Sequence, residues 1–385
     1  MKILDRKTIY RDGEYVSFPN LAWIDENTLA CFFRHAKERQ KEWGKHTHID
    51  PSAKDVFIVS HDNGRTFESV MHSVLDDDMS EQDPCVTVLS SGRIIITCFR
   101  WQIVPLGDGV KIWGKELYGR YGRTREGFWD SFNIGFNVNI SDDKGKTWRN
   151  LPVILPEGYV PGSAVRGNIV ELPGGFQSGV PQSGGLQSET CLLMPFYGAK
   201  YIGALASCGL MQSTDNGETW SFLCETACDR EKNFLEPNLF RTKSEKLISM
   251  YRTQTDFLKP GVDFEDTYLN MHISVSSDGG KTFGPVKEIP SIFASSPFHA
   301  LQLKSGKVFI SYGYRKKPFG IRGKICSCEL EDLESSPEII FCDDAPNGDL
   351  GYPHSIQLKD GSILLSYYIS GEDGIRKIEG IYFTE

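Results

Sequence analysis

The chain has 385 residues, 42 of them basic and 51 acidic, for a formal net charge of −9. Nucleic acid or an anionic membrane would require a basic face, so this balance argues against both, while leaving room for a local arginine cluster in a pocket. Glycines (38) and aromatics (12%) are frequent, as expected of many short strands joined by tight turns.

In chain order, Lys2-Ile-Leu4 is a short strand-like run with no apolar signal segment, and no stretch is long enough to span a bilayer. Phe18-Pro19-Asn20 opens a pair of apolar strands. An eight-residue phrase follows, Ser60-His-Asp62-Asn-Gly64-Arg-Thr66-Phe67. It returns as Ser141-Asp-Asp143-Lys-Gly145-Lys-Thr147-Trp148, as Ser213-Thr-Asp215-Asn-Gly217-Glu-Thr219-Trp220 and as Ser276-Ser-Asp278-Gly-Gly280-Lys-Thr282-Phe283. The copies start 81, 72 and 63 residues apart, an internal repeat of pattern S-x-D-x-G-x-T-[FW]. Its Asp can accept backbone N–H groups two or three residues on, its Gly supplies a positive φ, and its aromatic packs under the turn.

Between these phrases a second unit recurs, two short strands around a turn. It begins at Phe18-Pro19, Asp83-Pro84, Arg166-Gly167, Glu236-Pro237, Ser296-Pro297 and Tyr352-Pro353. Six units predict six blades, of which the last two lack the phrase. The run Ile378–Phe383 predicts one more strand, with Lys2-Ile-Leu4 beside it to close the ring and hide sheet edges.

The phrase matches the Asp-box of the sialidase (neuraminidase) superfamily, whose members are six-bladed β-propellers. The resemblance implies an all-β, six-bladed β-propeller with Asp-box hairpins, spanning residues 1–385 as one domain. In an up-and-down blade the start of strand one and the end of strand two share one face, opposite the Asp-boxes. That face collects Arg34, Asp83, Arg100, Arg166, Glu236, Arg252, His299, Arg315, Tyr352 and His354. Arg34, Arg100 and Arg252 stand 15 or 16 residues after Pro19, Pro84 and Pro237. Several guanidinium forks on one funnel suit a carboxylate.

Carried over residue by residue, Glu236 resembles the family's catalytic Glu and Arg252 an arginine that grips the substrate carboxylate. Gly351-Tyr352 resembles the nucleophilic Tyr in its Gly-Tyr context. Arg322 is the nearest match to the third arginine, with Arg315 its rival. Ser17 stands where the family has an arginine in blade one, and Arg34 could substitute. Asp50, with His48 close behind, is the acid/base candidate. A phenol becomes a nucleophile only if a base takes its proton, the role expected of Glu236.

The resemblance implies an exo-glycoside hydrolase with a carbohydrate partner, a terminal acidic sugar, acting by a retaining Tyr/Glu mechanism. A uronate lyase or other glycosidase using His299, His354 or Asp83, and a non-catalytic glycan-binding propeller, are the alternatives. Trp43, Trp101, Trp113 and Trp129 fall in long loops over the same face, as sugar platforms or as loop anchors.

No cofactor motif is present. Ten cysteines are scattered; Cys31, Cys85, Cys98 and Cys191 lie in apolar runs and read as buried free thiols of a reducing compartment, hence cytoplasmic unless a leader was removed. Cys326-x-Cys328, Cys224-x-x-x-Cys228 and His46-x-His48 lack the further ligands a metal site needs, so none is expected.

Overall fold

The computed structural model describes all residues except 45, 76, 109, 113–114, 118–128, 173–189 and 257–262. Six antiparallel sheets follow one another along the chain and form a six-bladed β-propeller. The first blade is Tyr15–Trp23, Leu29–Ala36, Lys54–Ser60 and His72–Ser73. The second is Ser80–Val88, Ile94–Pro105, Trp129–Ser141 and Arg149–Asn150. In the third, the inner strand is split into Ala164–Val165 and Val170–Leu172, before Cys191–Gly198, Ser207–Ser213 and Ser221–Ala227. The fourth runs Lys232–Arg241, Leu247–Thr255, Asn270–Ser276 and Lys287–Phe293. The fifth is Phe298–Gln302, Val308–Tyr314, Gly320–Cys326 and Ile339–Cys342.

The sixth blade closes the ring. Gly351–Gln357, Ile363–Ser370 and Arg376–Thr384 are completed by the N-terminal strand Lys2–Tyr10, antiparallel to Arg376–Thr384 with Arg6 opposite Ile381. Arg6 pins the seam, its Nε donating to Glu379 at 2.8 Å and its Nη1 to Asp344 at 2.6 Å.

Each blade is sandwiched between two others, so its middle strands are buried on both faces. This is why Ile363–Ser370 is buried at every position and reads as a continuous apolar run rather than an alternating one. The cores lie between blades. Leu29 and Ile58 of the first meet Leu364 and Ile378 of the sixth, and Ile95 and Val138 of the second meet Leu192 and Met194 of the third. Each such side chain contributes ~1.5–3 kcal/mol on burial.

The four Asp-boxes turn the chain between third and fourth strands. In the first, Thr66 N and Oγ1 donate to Asp62 at 2.8 and 2.7 Å, Ser60 Oγ donates to Asp62 at 2.9 Å, and Gly64 N donates to Ser60 Oγ at 2.9 Å. The Asp therefore accepts from the N–H groups three and four residues on, while the Ser hydroxyl takes the one two residues on. The other three boxes repeat the pattern. The turns also join blades. A Cβ on Gly217 of the third would lie 2.6 Å from Ile95 Cδ1 of the second. Trp148 of the second meets Phe32 and Phe57 of the first edge-on, with ring centroids 6.3 Å apart in both pairs.

Gly217 has φ +89° and a crowded Cβ position, whereas Gly92 has φ +86° and open space around it. Gly217→Ala is expected to cost ~2–4 kcal/mol, from backbone strain plus overpacking, and Gly92→Ala only about 1 kcal/mol. Urea unfolding of both variants measures the difference, and equal losses would mean the Asp-box glycine is not a blade-to-blade contact.

Candidate active site

The first strand of each blade lies at the hub. There Phe18, Asp83, Glu236 and Tyr352 adopt φ of 59°, 58°, 46° and 50°, each immediately before a proline. The strand register slips at the same place in all four blades, between Ser17 and Asn20, Gln82 and Cys85, Leu235 and Asn238, and Gly351 and His354. In the third blade Gly167, with φ 93°, follows Arg166. A bulge of this kind re-aims a side chain. A non-glycine residue held at positive φ costs ~1–3 kcal/mol and persists only where its surroundings enforce it.

These bulges bring the predicted pair together. Tyr352 Oη donates to Glu236 Oε1. Arg252 Nη1 donates to Glu236 Oε2 at 2.7 Å and lies 3.4 Å from Tyr352 Oη. Arg166 and Arg315 flank the Tyr352 ring, with guanidinium carbons 4.8 and 5.5 Å from its centroid. Tyr268 Oη accepts from Arg252 Nη2 at 3.3 Å and Arg315 Nη1 at 3.5 Å. Burial favours a protonated Glu236, but the Arg252 charge and its hydrogen bond outweigh that and keep the carboxylate ionised. Burial and then the Glu236 charge push the Tyr352 phenol well up, so it stays protonated and donates. Burial likewise opposes ionisation of Tyr268, yet Arg252 and Arg315 hold its hydroxyl below the usual phenol range.

Asp83 shares this ring with a different outcome. It is buried, its Oδ1 has no hydrogen-bond partner, and burial raises its carboxyl to about 7 against the pull of Arg166. Beneath, His299 and His354 stack at 3.8 Å and line a small axial pocket with Arg166, Asn168 and Asn238. Each imidazole accepts a backbone N–H at Nδ1, from Ser355 at 3.2 Å and Leu21 at 3.1 Å. Both rings belong to the hub's packing below the site.

A family model described as BNR repeat-like domain matches residues 117–365. The chain belongs to that family. Among similar solved structures is a protein of unknown function from Dyadobacter fermentans. It is 25% identical, with 100% of this chain and 99% of that one covered and a TM-score of 0.79. The NanB sialidase from Streptococcus pneumoniae is 12% identical, with 98% of this chain and 70% of that one covered and a TM-score of 0.64. An alpha-L-arabinanase from Penicillium chrysogenum is 11% identical, with 99% and 98% covered and a TM-score of 0.64. The last two likenesses establish a fold shared with glycoside hydrolases. Among curated proteins none matches.

Four sequence-derived assignments change. Asp50 is fully buried and serves as a loop anchor: it accepts from Arg39 Nε at 2.9 Å, Thr47 Oγ1 at 2.7 Å and Ser52 Oγ at 2.6 Å. Its oxygens are thus engaged within the loop, and Arg39 holds its carboxyl below the usual range against burial. Arg322 points to the outer edge of the fifth blade, donating to Cys342 O at 2.6 Å with its guanidinium 4.8 Å from the Tyr314 ring centroid, so Arg315 takes the place beside Tyr352. Arg100 lies 16 residues after its proline, whereas Arg34 and Arg252 lie 15 after theirs. One extra residue turns a strand side chain to the other face, and Arg100 pairs with Asp77 instead. Arg34 keeps the right phase but is fully buried, its Nη2 donating to His48 O at 2.9 Å.

His48 therefore inherits the position expected of Asp50. Exposed by its surface yet crowded at its ring, it accepts from Gln82 Nε2 at 2.8 Å through Nε2 and meets Phe18 edge-on at 5.6 Å, while Phe18 packs on Tyr352 at 4.5 Å. Crowding by protein and then the Arg34 charge lower the imidazole to about 4. Trp101 and Trp129 lie on strands of the second blade rather than in loops, both buried, Trp129 Nε1 donating to Ile49 O at 3.1 Å; Trp43 packs against Trp129 and Arg39. Trp113 lies outside the described residues. Two site residues were missed, Phe18 and Tyr268. Phe18 carried the same X-Pro signal as Asp83, Glu236 and Tyr352, whereas nothing in the repeat marks Tyr268.

Burial, then Arg166, lowers His299 to about 3 from an unfolded value near 6.5. Unfolding therefore takes up a proton between those values, and stability from this group is lost as pH falls from about 6.5 toward 3. His299→Gln is expected to reduce the pH slope of the unfolding free energy in that window by about 1.4 kcal/mol per pH unit. Urea titrations at several pH values measure it, and an unchanged slope would refute the neutral buried imidazole.

Proposed function

We propose that this protein is a retaining exo-glycosidase of sialidase type that removes a terminal acidic sugar from a glycan. The observation that carries the reading is the buried Tyr352–Glu236–Arg252 network. Tyr352 Oη attacks the anomeric carbon as its proton passes to Glu236 Oε1. The bond to the leaving oxygen breaks, and that oxygen takes a proton from His48. Water then attacks the glycosyl-tyrosine, giving a proton to His48 while Glu236 returns its own to Tyr352 Oη. A neutral nucleophile avoids repulsion from an anionic substrate. Arg252 and Arg315, converging on Tyr268 Oη, are suited to its carboxylate.

His48 suits the proton transfer because its imidazole packs beside Phe18, next to Tyr352, with Nε2 held by Gln82 and the proton carried at Nδ1. Asp83 lies on the buried floor, suited to accept a sugar hydroxyl. The Streptococcus relative, crystallised with an ethanesulfonate, favours an anionic substrate. The Penicillium relative, crystallised with arabinobiose, makes a neutral sugar the competing reading. Fluorophore release from an aryl sialoside beside an aryl arabinofuranoside separates the two. Turnover of the sialoside alone is expected; turnover of the arabinofuranoside alone would replace the acidic substrate with a neutral one.

Tyr352→Phe is expected to lower kcat by ~10³-fold or more, with an unchanged melting curve. Full activity in that variant would end the proposal. His48→Ala should cost ~10²–10⁴-fold on an unactivated glycoside but far less on an aryl glycoside whose leaving group needs no proton. For wild type on the unactivated glycoside, kcat/KM should fall as pH rises above about 4, because the acid form of His48 is lost there. A uniform loss on both substrates in His48→Ala, or the same selective loss in Asp83→Asn, would move the proton donor elsewhere.

A further inference from the structure

Behind Arg34, between the first and second blades, three potential ligands meet away from the sugar site. Asp55 lies on the third strand of the first blade, Glu81 and Cys98 on the first and second strands of the second. All three are fully buried, and their ligand atoms lie within 4.8 Å of one another. Glu81 Oε2 accepts from Asp55 N at 2.9 Å, which ties the blades. Oε1 of Glu81 has no hydrogen-bond partner, and the Asp55 carboxylate has only the weak Cys98 thiol. Nε and Nη1 of fully buried Arg34, and Nε of Arg100, have none. Arg34 stands opposite Asp55, and Arg100 opposite Glu81, in the strand register.

A bare carboxylate in such a place is costly. A cation removes that cost. Two carboxylates and a thiolate carry −3, a divalent ion brings this to −1, and Arg34 with Arg100 brings it to +1. Each carboxylate would then use one oxygen on the ion and offer the other to an arginine N–H, the outer-shell pattern of protein metal sites. A thiolate with two carboxylates selects zinc over calcium or magnesium. With bonds of ~2.0–2.3 Å, zinc would draw the ligands together by about an ångström.

We propose that Asp55, Glu81 and Cys98 form a three-ligand zinc site, its fourth position taken by water, that staples the first blade to the second. Through Arg34, which donates to His48 O at 2.9 Å, the site also supports the loop carrying His48. It is independent of the glycosidase reading, and its test needs no substrate.

The purified full chain, dialysed against zinc and then metal-free buffer, is assayed for metal by mass spectrometry beside Cys98→Ser and Glu81→Gln. About one equivalent in wild type is expected, lost or reduced at least tenfold in both variants. Cobalt substitution should give a thiolate-to-cobalt absorption band in wild type that is absent from Cys98→Ser. A chelator should lower the melting temperature of wild type and leave Cys98→Ser unmoved. The Glu81→Gln side chain keeps an acceptor for Asp55 N, so a folded variant without metal remains interpretable. No bound metal and no thiolate band in wild type would overturn the proposal, leaving a protonated carboxyl pair bridged by water. Metal retained in full by both variants would overturn it too.

Discussion

The left-handed residue before proline at the hub is the constraint on which the site depends. A closed ring forces six inner strands to converge at their starts. An ordinary strand there would alternate its side chains between the two faces of its blade and aim few at the axis. The bulge breaks that alternation at one residue, and in four blades it swings Phe18, Asp83, Glu236 and Tyr352 inward. Proline lacks the N–H that the bulge would leave without a partner. The strain is carried by inter-blade cores and by the seam of Lys2–Tyr10 with Arg376–Thr384. Site geometry and closure are thus coupled: the ring that hides its edges also enforces the backbone that aims Tyr352.

Given that geometry, electrostatics decides which group does what. Glu236 and Asp83 are equivalent residues on neighbouring parts of one ring, both almost fully buried. Glu236 has a direct 2.7 Å contact with Arg252 and stays ionised. Asp83 is influenced by Arg166 without a hydrogen bond to it, and burial dominates. A direct arginine hydrogen bond therefore separates an ionised carboxylate from one half-protonated near neutrality. Tyr352 sits between them, held protonated by both negative charges and by burial. Its proton has one short route out, to Glu236.

Much of this was legible because it repeats. Four Asp-boxes announced the fold, and the X-Pro start recurring in five of the six blades marked Asp83, Glu236 and Tyr352. What was misjudged lacks that support. Arg100 looked equivalent to Arg34 and Arg252, yet one extra residue turned it away from the hub, a distinction that sequence shows only once the bulge is counted. Asp50 and His48 sit two apart in an irregular loop, where no periodicity says which faces the funnel; Thr47, Ser52 and Arg39 decide it by saturating Asp50. Arg322 and Arg315 differ by strand position, and the Cys342 carbonyl that captures Arg322 belongs to a strand with no motif of its own. Tyr268 is a purely tertiary addition.

Phe18 is the sharpest departure from the arginine-lined site that the family resemblance implies. The first blade offers a hydrocarbon face where the second, fourth and sixth offer Asp, Glu and Tyr. Ser17 beside it is fully buried with an unpartnered hydroxyl, so it does not replace an arginine. Packed against Tyr352, His48 and Tyr368, Phe18 excludes water from one side of the nucleophile and keeps the His48 imidazole uncharged. The cationic groups stand on the opposite side, where Arg252 and Arg315 share Tyr268. The site is thus polarised across its width, cationic over the fourth and fifth blades and apolar over the first. A ligand matching it carries its acidic group and an apolar edge on opposite sides of the ring, which narrows the sugars worth trying more than the fold does.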